Sequence, residues 1–412
     1  MGFSVATNFD DNLPGLVASL GVTELFGKLP KDVTGGGRAS YMMAPVSREM
    51  LEEHVRKTHQ AGLKFNYLVN AACLDNTEFT KRGQKEIRKH LDWLSEVGID
   101  ALTVSVSYLL ELVKSRYSHF KVKLGVFADI DTPKKAIFFE ELGADCIALQ
   151  PLILNRNFAG LRAIREAVKC ELQLIVNSNC LLECPMTPYH NAGLSHASQK
   201  GSRGFFVDYC LLRCLTRKLT DPVNYITSPW IRPEDLHHYE AIGKFSFKIL
   251  ERDAPTETLV KRVRAYYNGQ FDGNLLDIVQ SYGFREQRSA SQPQRPWLWD
   301  LREFLKPQAI RPFKLLPLRD LARLQGMLYT RSDEKLVVDN RKLDGFIDKF
   351  LDGDCLKSRC EDCRYCHSYA DKAVHIDPVF RQECLELVGL LLNDLSSGEM
   401  WGRCAEPRWR CE

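Results

Sequence analysis

Short apolar runs alternate with helical patterns along the first 270 residues of the chain. Amphipathic spacing is clearest where Ile87, Leu91, Leu94 and Val97 recur every three or four residues, which predicts a helix over 80–97 that ends at Gly98. The apolar runs predict eight strands, at residues 3–7, 22–26, 64–69, 101–106, 122–127, 146–149, 172–176 and 245–249. Eight strands, each followed by a helix or a helix-bearing connection, predict an α/β fold of the (β/α)8 TIM-type barrel class over residues 1–284. A doubly wound open sheet is the alternative.

The pattern changes after the barrel. Residues 285–296 are polar and contain prolines, so they are interpreted as a linker. Residues 297–412 form a cysteine-rich C-terminal extension, which is predicted to be mostly helical. An apolar element that docks on the barrel is predicted to begin with Trp297, Trp299, Leu301 and Phe304. Further along, one face of a helix is predicted to carry Leu343, Phe346, Ile347 and Phe350.

Composition narrows the class of protein. The net charge of the 412 residues is +3, which is too small to indicate a nucleic-acid partner. No apolar run approaches the roughly 18 residues that a membrane span needs, and residues 1–4 lack the features of a signal peptide. We therefore expect a cytoplasmic protein without a membrane partner. In a reducing compartment, its 14 cysteines favour metal binding over disulfides.

Four cysteines follow the seventh predicted strand in two mirrored pairs. Cys180 and Cys184 form one Cys-x-x-x-Cys pair, and Cys210 and Cys214 form another after 25 intervening residues. Four thiols supplied in pairs from short segments can enclose one soft metal centre. The spacing does not choose between zinc and an iron–sulfur cluster, and buried structural thiols are the alternative to both.

A second group of four cysteines lies in the extension. Cys355, Cys360, Cys363 and Cys366 are separated by four, two and two residues. The Cys-x-x-Cys-x-x-Cys part resembles ferredoxin-type cluster ligation, so a second iron–sulfur cluster is predicted, with zinc as the alternative. The remaining cysteines show no pairing and are interpreted as structural.

In a barrel of this class, function resides in the loops that follow the strands. Polar residues stand at these positions, although about half are expected to serve only turn geometry. Asn70 and Asn179 are the candidates for substrate binding. The glycine-rich stretch at 34–37 lacks the lysine and the spacing of a phosphate loop. The residues after the strands are Asn8, Asn70, Ser107, Asp129, Gln150, Asn177, Asn179 and Arg252.

Two stretches resemble a known family. The first stretch contains Asn179-Cys180-Leu181, Cys184-Pro185 and His190. The second contains Ser246-Phe247-Lys248-Ile249, Arg252 and Arg264-Ala265-Tyr266. These motifs are similar to those of peptidase family U32, the collagenase-like peptidases. The resemblance implies a barrel with a four-cysteine [4Fe–4S] cluster. Despite its name, the family includes oxygen-independent hydroxylation proteins of ubiquinone synthesis and RNA modification, in which prephenate is implicated as the oxygen source.

The chain departs from the family pattern in two places. The usual Glu-Gly before the last arginine is Leu250-Glu251 here, and the His-Gly-Ala that precedes the first cysteine in the peptidase signature is absent. The cysteine-rich extension does not belong to the core family pattern.

The function predicted from these observations is an iron–sulfur redox enzyme. It would hydroxylate or otherwise modify a small-molecule or carrier-bound substrate, with prephenate as a co-substrate and a ferredoxin or flavodoxin as electron donor. His190 is the candidate acid–base residue, and Arg252 is the candidate clamp for a carboxylate. The alternatives are a non-catalytic cluster-bearing subunit of a paired enzyme, an RNA-modifying enzyme and, least favoured, a peptidase.

Overall fold

Eight parallel strands close into a barrel. The computed structural model describes residues 2–40, 43, 45–200, 207–251, 254–279, 310–314, 316–320, 335–353, 355 and 359–401. Each strand pairs with the next, and β8 pairs back onto β1, which confirms the predicted barrel and excludes the open sheet. The strands are β1 (Phe3–Ala6), β2 (Val22–Gly27), β3 (Lys64–Val69), β4 (Ala101–Val104), β5 (Lys121–Leu124), β6 (Cys146–Ala148), β7 (Glu171–Ile175) and β8 (Phe245–Ile249).

Helices surround the strands. Their limits follow local sequence signals: Ser47 caps the second helix by accepting a hydrogen bond from the Met50 amide, and Gly98 ends the third helix in a left-handed conformation. The barrel helices are α1 (Leu13–Val17), α2 (Arg48–Gln60), α3 (Lys81–Val97), α4 (Ser107–Arg116), α5 (Pro133–Glu141), α6 (Pro151–Leu154), α7 (Phe158–Ala167), α8 (Thr187–Ala197), α9 (Tyr209–Thr220), α10 (Val223–Ile226), α11 (Leu236–Glu240) and α12 (Thr256–Asn268).

The interior of the barrel contains a buried polar network. The Glu24 carboxylate accepts hydrogen bonds from Ser4 (2.6 Å) and Asn66 (3.1 Å), and its other oxygen lies 2.7 Å from the Lys123 ammonium. A buried ion pair is tolerated when further hydrogen bonds satisfy it, as here. The network therefore fills the barrel interior, and open space is left at the mouth, where the strands end.

The described part of the extension packs directly on the barrel. It contains an antiparallel pair, β9 (Leu336–Val338) with β10 (Val374–Ile376), and four helices. Its apolar residues belong to the same hydrophobic core as the barrel strands. The helices are α13 (Asp348–Leu351), α14 (Cys360–Cys363), α15 (Tyr365–Ala373) and α16 (Pro378–Ser397), and α16 packs against α9.

The helix predicted across 343–350 is interrupted. A 3-10 turn covers Asn340–Leu343, and α13 begins only at Asp348, because Gly345 adopts a φ of 74° between them. Leu343, Phe346 and Phe350 are nevertheless all buried. The predicted linker at 285–296 and the apolar element that begins at Trp297 lie outside the described residues, so this division of the chain stays a prediction. In the described part of the chain, no helix combines the length and the apolar character that crossing a bilayer requires.

Candidate functional site

The four cysteines of the first group lie on the long insertion between β7 and β8. Cys180 and Cys184 stand in the irregular segment after β7, where Glu183 adopts a positive φ of 46°. Cys210 and Cys214 lie on α9, and a separation of four residues places both on one face of that helix. Asp208 fixes the start of α9, because its side chain accepts a hydrogen bond from the Leu211 amide (2.9 Å).

The mutual influence of these thiols shows that they converge. Burial raises the pKa of Cys214 to about 12; Lys218 opposes the shift, and the Cys180 and Cys184 thiols add to it. Burial also raises the pKa of Cys210 to about 11, with additions from Asp208 and Cys184. The first pair thus lies close enough to the second to affect its charge, and the binding of one metal centre by all four thiols stays a prediction. Burial disfavours the deprotonated form of these thiols, whereas binding to a metal would favour it.

A buried lysine lies beside the thiols of Cys180 and Cys214. The Lys218 ammonium donates hydrogen bonds to Asn179 Oδ1 (2.7 Å) and Ser228 Oγ (2.6 Å), which are both neutral acceptors. Burial lowers its pKa to about 8, and Cys214 and Cys180 oppose that shift. Among the described residues, no carboxylate pairs with Lys218. A buried cation without a carboxylate needs another source of negative charge, and a metal–thiolate centre would provide it.

The described thiols do not form a preassembled zinc-sized site. In the described part of the chain, only His190, Asp208 and Cys210 bring three metal-ligating atoms within 4.8 Å of one another. A tetrahedral zinc with Zn–S bonds of about 2.3 Å would hold its sulfur atoms about 3.8 Å apart. No three of the four thiols are that close, and an iron–sulfur cluster, whose cysteines bind different iron atoms, stays a prediction.

A cavity of about 210 Å³ opens at the barrel mouth next to Cys180. The apolar part of its wall includes Phe26, Leu68, Val126, Phe127, Leu152 and Ile175. The polar part contains Arg38, Asn70, Gln150, Cys180, His190, Asp208, Lys248 and Glu251. An apolar pocket with a few convergent polar groups is the usual form of a small-molecule site.

His190 lies in this wall and is paired with an acid. Its Nε2 is 2.8 Å from Asp208 Oδ2, and both side chains are largely buried. A carboxylate partner orients an imidazole ring and stabilises its protonated form. Since Asp208 also caps α9, the His190 ring is held relative to the helix that carries Cys210 and Cys214. The position agrees with the predicted acid–base role, which stays a prediction.

Asn70 presents an unused acceptor to the cavity. Its Oδ1 is buried and accepts no hydrogen bond from any described residue. A buried acceptor without a donor is costly, so a polar hydrogen of a bound molecule would stabilise it. The predicted substrate-binding role of Asn70 fits this geometry. Asn179, the other predicted residue, is buried and bonded to Lys218, and it does not appear in the cavity wall.

The other polar residues after the strands divide between turns and the site. Asn8 donates to Ala254 O and Thr256 Oγ1, and Asn177 exchanges hydrogen bonds with the backbone of Leu250, so both hold loops in place. Gln150 lines the cavity and donates to Asp129 Oδ1 (2.8 Å). Ser107 begins α4. Arg252 lies outside the described residues, so its proposed clamp role stays a prediction.

The glycine-rich stretch covers one side of the mouth. The Gly36 amide donates to Ser198 Oγ (2.7 Å), and a Cβ at Gly36 would stand 2.9 Å from Lys28 Cδ and 3.1 Å from Asn70 Oδ1. Glycine is therefore needed here for close approach of the loop to the barrel mouth and the insertion. No phosphate-loop feature accompanies it among the described residues.

Several site residues were not identified from the sequence. Arg38 forms an ion pair with the Glu251 carboxylate in the cavity wall, and Lys248 lies 4.1 Å from the centre of the Phe26 ring. Lys218 and Asp208 were also missed. A signal existed for Asp208, since an aspartate two residues before a cysteine at the start of a helical pattern is a helix cap.

The four cysteines of the extension also come together. Burial raises the pKa of Cys366 to about 11, and Cys355, Cys360 and Cys363 all add to that shift, whereas Arg156 opposes it. These thiols therefore lie close enough to affect one another's charge, and the second metal site stays a prediction.

Comparison with known proteins shows what the chain is similar to. Residues 36–195 match the model of peptidase family U32. The chain is 28% identical over 345 residues to an uncharacterized protease, MJ1657, of Methanocaldococcus jannaschii, with 84% of this chain and 87% of that protein covered. A solved structure of the U32 peptidase Mk0906 is 23% identical, with a TM-score of 0.48, over 62% of this chain and 94% of that one. The predicted resemblance to peptidase family U32 is confirmed, since residues 36–195 of this chain match the model of that family.

Proposed function

We propose that the chain is an iron–sulfur redox enzyme whose substrate binds in the cavity at the barrel mouth. The observation that supports this proposal is the buried cation of Lys218 beside Cys180 and Cys214, with Cys180 also in the wall of that cavity. These four thiols would hold a [4Fe–4S] cluster, which supplies single electrons without O2.

The protein's own groups have separate tasks in this proposal. Lys218 balances the negative charge of the thiolates, and Asn179 and Ser228 hold its ammonium in place. Asn70 accepts a hydrogen bond from the substrate through its unused Oδ1. His190, oriented by Asp208, gives or takes a proton at the cavity wall. The apolar wall excludes water from the reacting centre.

The reaction class proposed is oxygen-independent hydroxylation or a related modification of a small-molecule or carrier-bound substrate. Insertion of a water-derived oxygen into a C–H bond releases two electrons and two protons, so in that case a ferredoxin or flavodoxin would act as the electron acceptor and not as the donor expected from the sequence. An oxygen-donating co-substrate such as prephenate would take up those electrons itself. Lys248 in the cavity wall would contribute positive charge towards a carboxylate-bearing molecule, whereas Arg38 is paired with Glu251.

Metal analysis of anaerobically purified protein tests the cluster. We expect Cys180→Ala and Cys210→Ala each to remove bound iron and to bleach the visible absorption of that centre. Cys170→Ala is the matched control, because Cys170 is half-buried and lies outside both cysteine groups. Full iron content in both Cys180→Ala and Cys210→Ala would refute the assignment.

Activity requires a separate assay. The protein is incubated anaerobically with candidate substrates, with prephenate and isotope-labelled water as rival oxygen sources. Incorporation of label from either source supports hydroxylation, and a strict requirement for O2 contradicts it. A protein that keeps its cluster but turns over nothing alone would instead fit a subunit of a paired enzyme.

A peptidase is the second candidate function. It is favoured by the name of the relative and by the compact group of His190, Asp208 and Cys210. A cysteine nucleophile, however, requires a thiol that ionises readily, whereas burial raises the pKa of Cys210 to about 11. The peptidase would be favoured over the redox enzyme if the protein cleaves peptides, if Cys210→Ala abolishes that cleavage, and if iron chelation leaves it unchanged.

A further inference from the structure

We propose that Cys355, Cys360, Cys363 and Cys366 form a second iron–sulfur centre, and that Arg156 and Ser228 couple this centre to the one at the barrel mouth. The second site stands on its own observations. The coupling rests on the proposed cluster at Cys180, Cys184, Cys210 and Cys214.

The local backbone brings the tail thiols together. Cys360 and Cys363 begin and end the single turn of α14. Arg364 then adopts a left-handed conformation with a φ of 47°, and this reversal starts α15, which carries Cys366 in its first turn. Cys355 and Cys366 are partly buried, whereas Cys360 is exposed. The site is therefore reachable from solvent on one side and faces the barrel on the other.

A buried arginine stands on the barrel side of this group. Arg156 is 8% exposed, and its guanidinium carbon lies 4.4 Å from the centre of the Trp230 ring and 4.9 Å from that of Phe346. Within the described residues, no carboxylate oxygen lies within 4.0 Å of it. The same guanidinium carbon lies 5.4 Å from the centre of the Phe350 ring. Arg156 is thus a buried cation at the contact between the barrel and the segment that leads into the tail thiols.

The two buried cations meet at one residue. The Lys218 ammonium donates to Ser228 Oγ, and Arg156 Nη2 donates to the Ser228 carbonyl, each at 2.6 Å. Ser228 is fully buried. A second connection runs beside Ser228. Trp230 stacks on Arg156 and donates a hydrogen bond through Nε1 to the carbonyl of Tyr225. The ring of Tyr225 in turn lies 4.9 Å from the Lys218 ammonium.

This arrangement makes the two centres electrostatically dependent on each other. Charges interact far more strongly through a buried polar network than through water, because the local dielectric is low. A change in the charge of one centre would therefore act on the other through Lys218, Ser228 and Arg156. Two thiol groups that served only to fold the chain would not need a buried cation each.

The spacing of the tail thiols favours iron–sulfur over zinc. No three of Cys355, Cys360, Cys363 and Cys366 lie within 4.8 Å of one another, whereas a tetrahedral zinc would set its sulfur atoms about 3.8 Å apart. Two intervening residues between successive cysteines also match ferredoxin-type ligation.

The experiment uses the full chain, reconstituted anaerobically with Fe²⁺ and sulfide. Iron and labile sulfide are counted in four proteins: the natural chain, the double variant Cys355→Ala/Cys366→Ala, the double variant Cys180→Ala/Cys210→Ala, and the control Cys170→Ala. We expect about eight iron atoms in the natural chain and the control, and about four in each double variant, since each full set of cysteines holds one four-iron cluster. About four in the natural chain, or zinc bound by the tail in place of iron, would overturn the second centre.

Coupling is read from electron paramagnetic resonance after reduction with dithionite. The natural chain should show a spectrum broadened by interaction between two centres, and either double variant should show a simple spectrum. Arg156→Gln should lower the reduction potential of the tail centre at unchanged iron content, because a nearby cation favours the reduced state. If Arg156→Gln fails to fold, Arg156→Lys keeps the charge and should leave the potential near its natural value.

The outcomes separate this inference from the proposed function. Iron that is lost only on removal of the tail thiols confirms the second centre and refutes the cluster at the barrel mouth. The coupling is refuted if two four-iron centres are present but their spectra are independent, and if Arg156→Gln leaves the reduction potential of the tail centre unchanged.

Discussion

Arg232 joins the extension to the barrel, and its replacement by methionine should destabilise the whole protein. The guanidinium is 2% exposed and donates to Asn340 Oδ1 (2.9 Å), to the Leu343 carbonyl (2.7 Å) and to Asp344 Oδ1 (2.6 Å). All three acceptors belong to the extension, whereas Arg232 belongs to the insertion between β7 and β8. Methionine retains much of the apolar volume and removes every donor.

The magnitude follows from the burial of each acceptor. The Asp344 side chain is 78% exposed, so its ion pair contributes at most about 1 kcal/mol. Asn340 is 1% exposed, and its Oδ1, like the Leu343 carbonyl, would lose a donor; each loss costs about 1–3 kcal/mol. The sum is about 2–7 kcal/mol, and the usual cost of breaking a buried charged network, about 3–5 kcal/mol, lies in the middle of that range.

Urea unfolding measures this change, and hydrogen exchange locates it. We expect Arg232→Met to lower the free energy of unfolding by about 3–5 kcal/mol and to remove amide protection over residues 336–350. Arg341→Met is the matched control, since Arg341 belongs to the same segment but is 68% exposed, and it should change stability by no more than about 0.5 kcal/mol. If the two variants unfold alike, Arg232 does not join the extension to the barrel.

Three further predictions concern the barrel and the helices. Burial lowers the pKa of His54 to about 4, although Asp11 and Asp10 oppose this shift. Between pH 6.5 and pH 4, the unfolded chain therefore binds a proton at His54 that the folded chain does not bind. Stability is therefore complete above pH 6.5 and falls by about 3 kcal/mol down to pH 4, and urea midpoints of His54→Gln should flatten that part of the profile. Gly83→Ala should lose about 1–3 kcal/mol in urea unfolding, because the new Cβ would stand 2.0 Å from the Thr77 carbonyl oxygen. Gly389→Ala, in open space within α16, should gain up to about 1 kcal/mol, and a loss there would contradict the helix assignment.

The barrel could be predicted from the sequence because each strand is buried and is bounded by turn residues. The predicted and observed strands differ mainly at their ends. The runs at 101–106 and 122–127 suggested six-residue strands, whereas β4 ends at Val104 and β5 ends at Leu124. Val126 and Phe127 continue the apolar pattern because they line the cavity, not because they belong to the sheet. An apolar run cannot distinguish a strand from the wall of a pocket that follows it.

The candidate site could be predicted only where residue type alone carries the signal. Cysteine spacing identified both thiol groups, and His190 was identified beside the first. Lys218 could not be found, because a lysine on a helix usually lies on the solvated face. Its burial depends on Asn179, which is 39 residues away, and on Ser228 in the segment after α10. Contacts of that kind are set by tertiary packing, which periodicity does not report.

The insertion between β7 and β8 explains why the two thiol groups occur in one chain. It supplies all four cysteines of the first group, and it also supplies Ser228, Trp230 and Arg232, which contact Arg156 or the extension. The extension in turn covers this insertion: Arg381 of α16 donates to the carbonyls of Leu219 and Thr220 at the end of α9. The helix that carries Cys210 and Cys214 is therefore held from outside by the segment that follows the tail cysteines. Loss of the extension should disturb the first thiol group as well as remove the second, and two independent domains joined by a linker would not behave in this way.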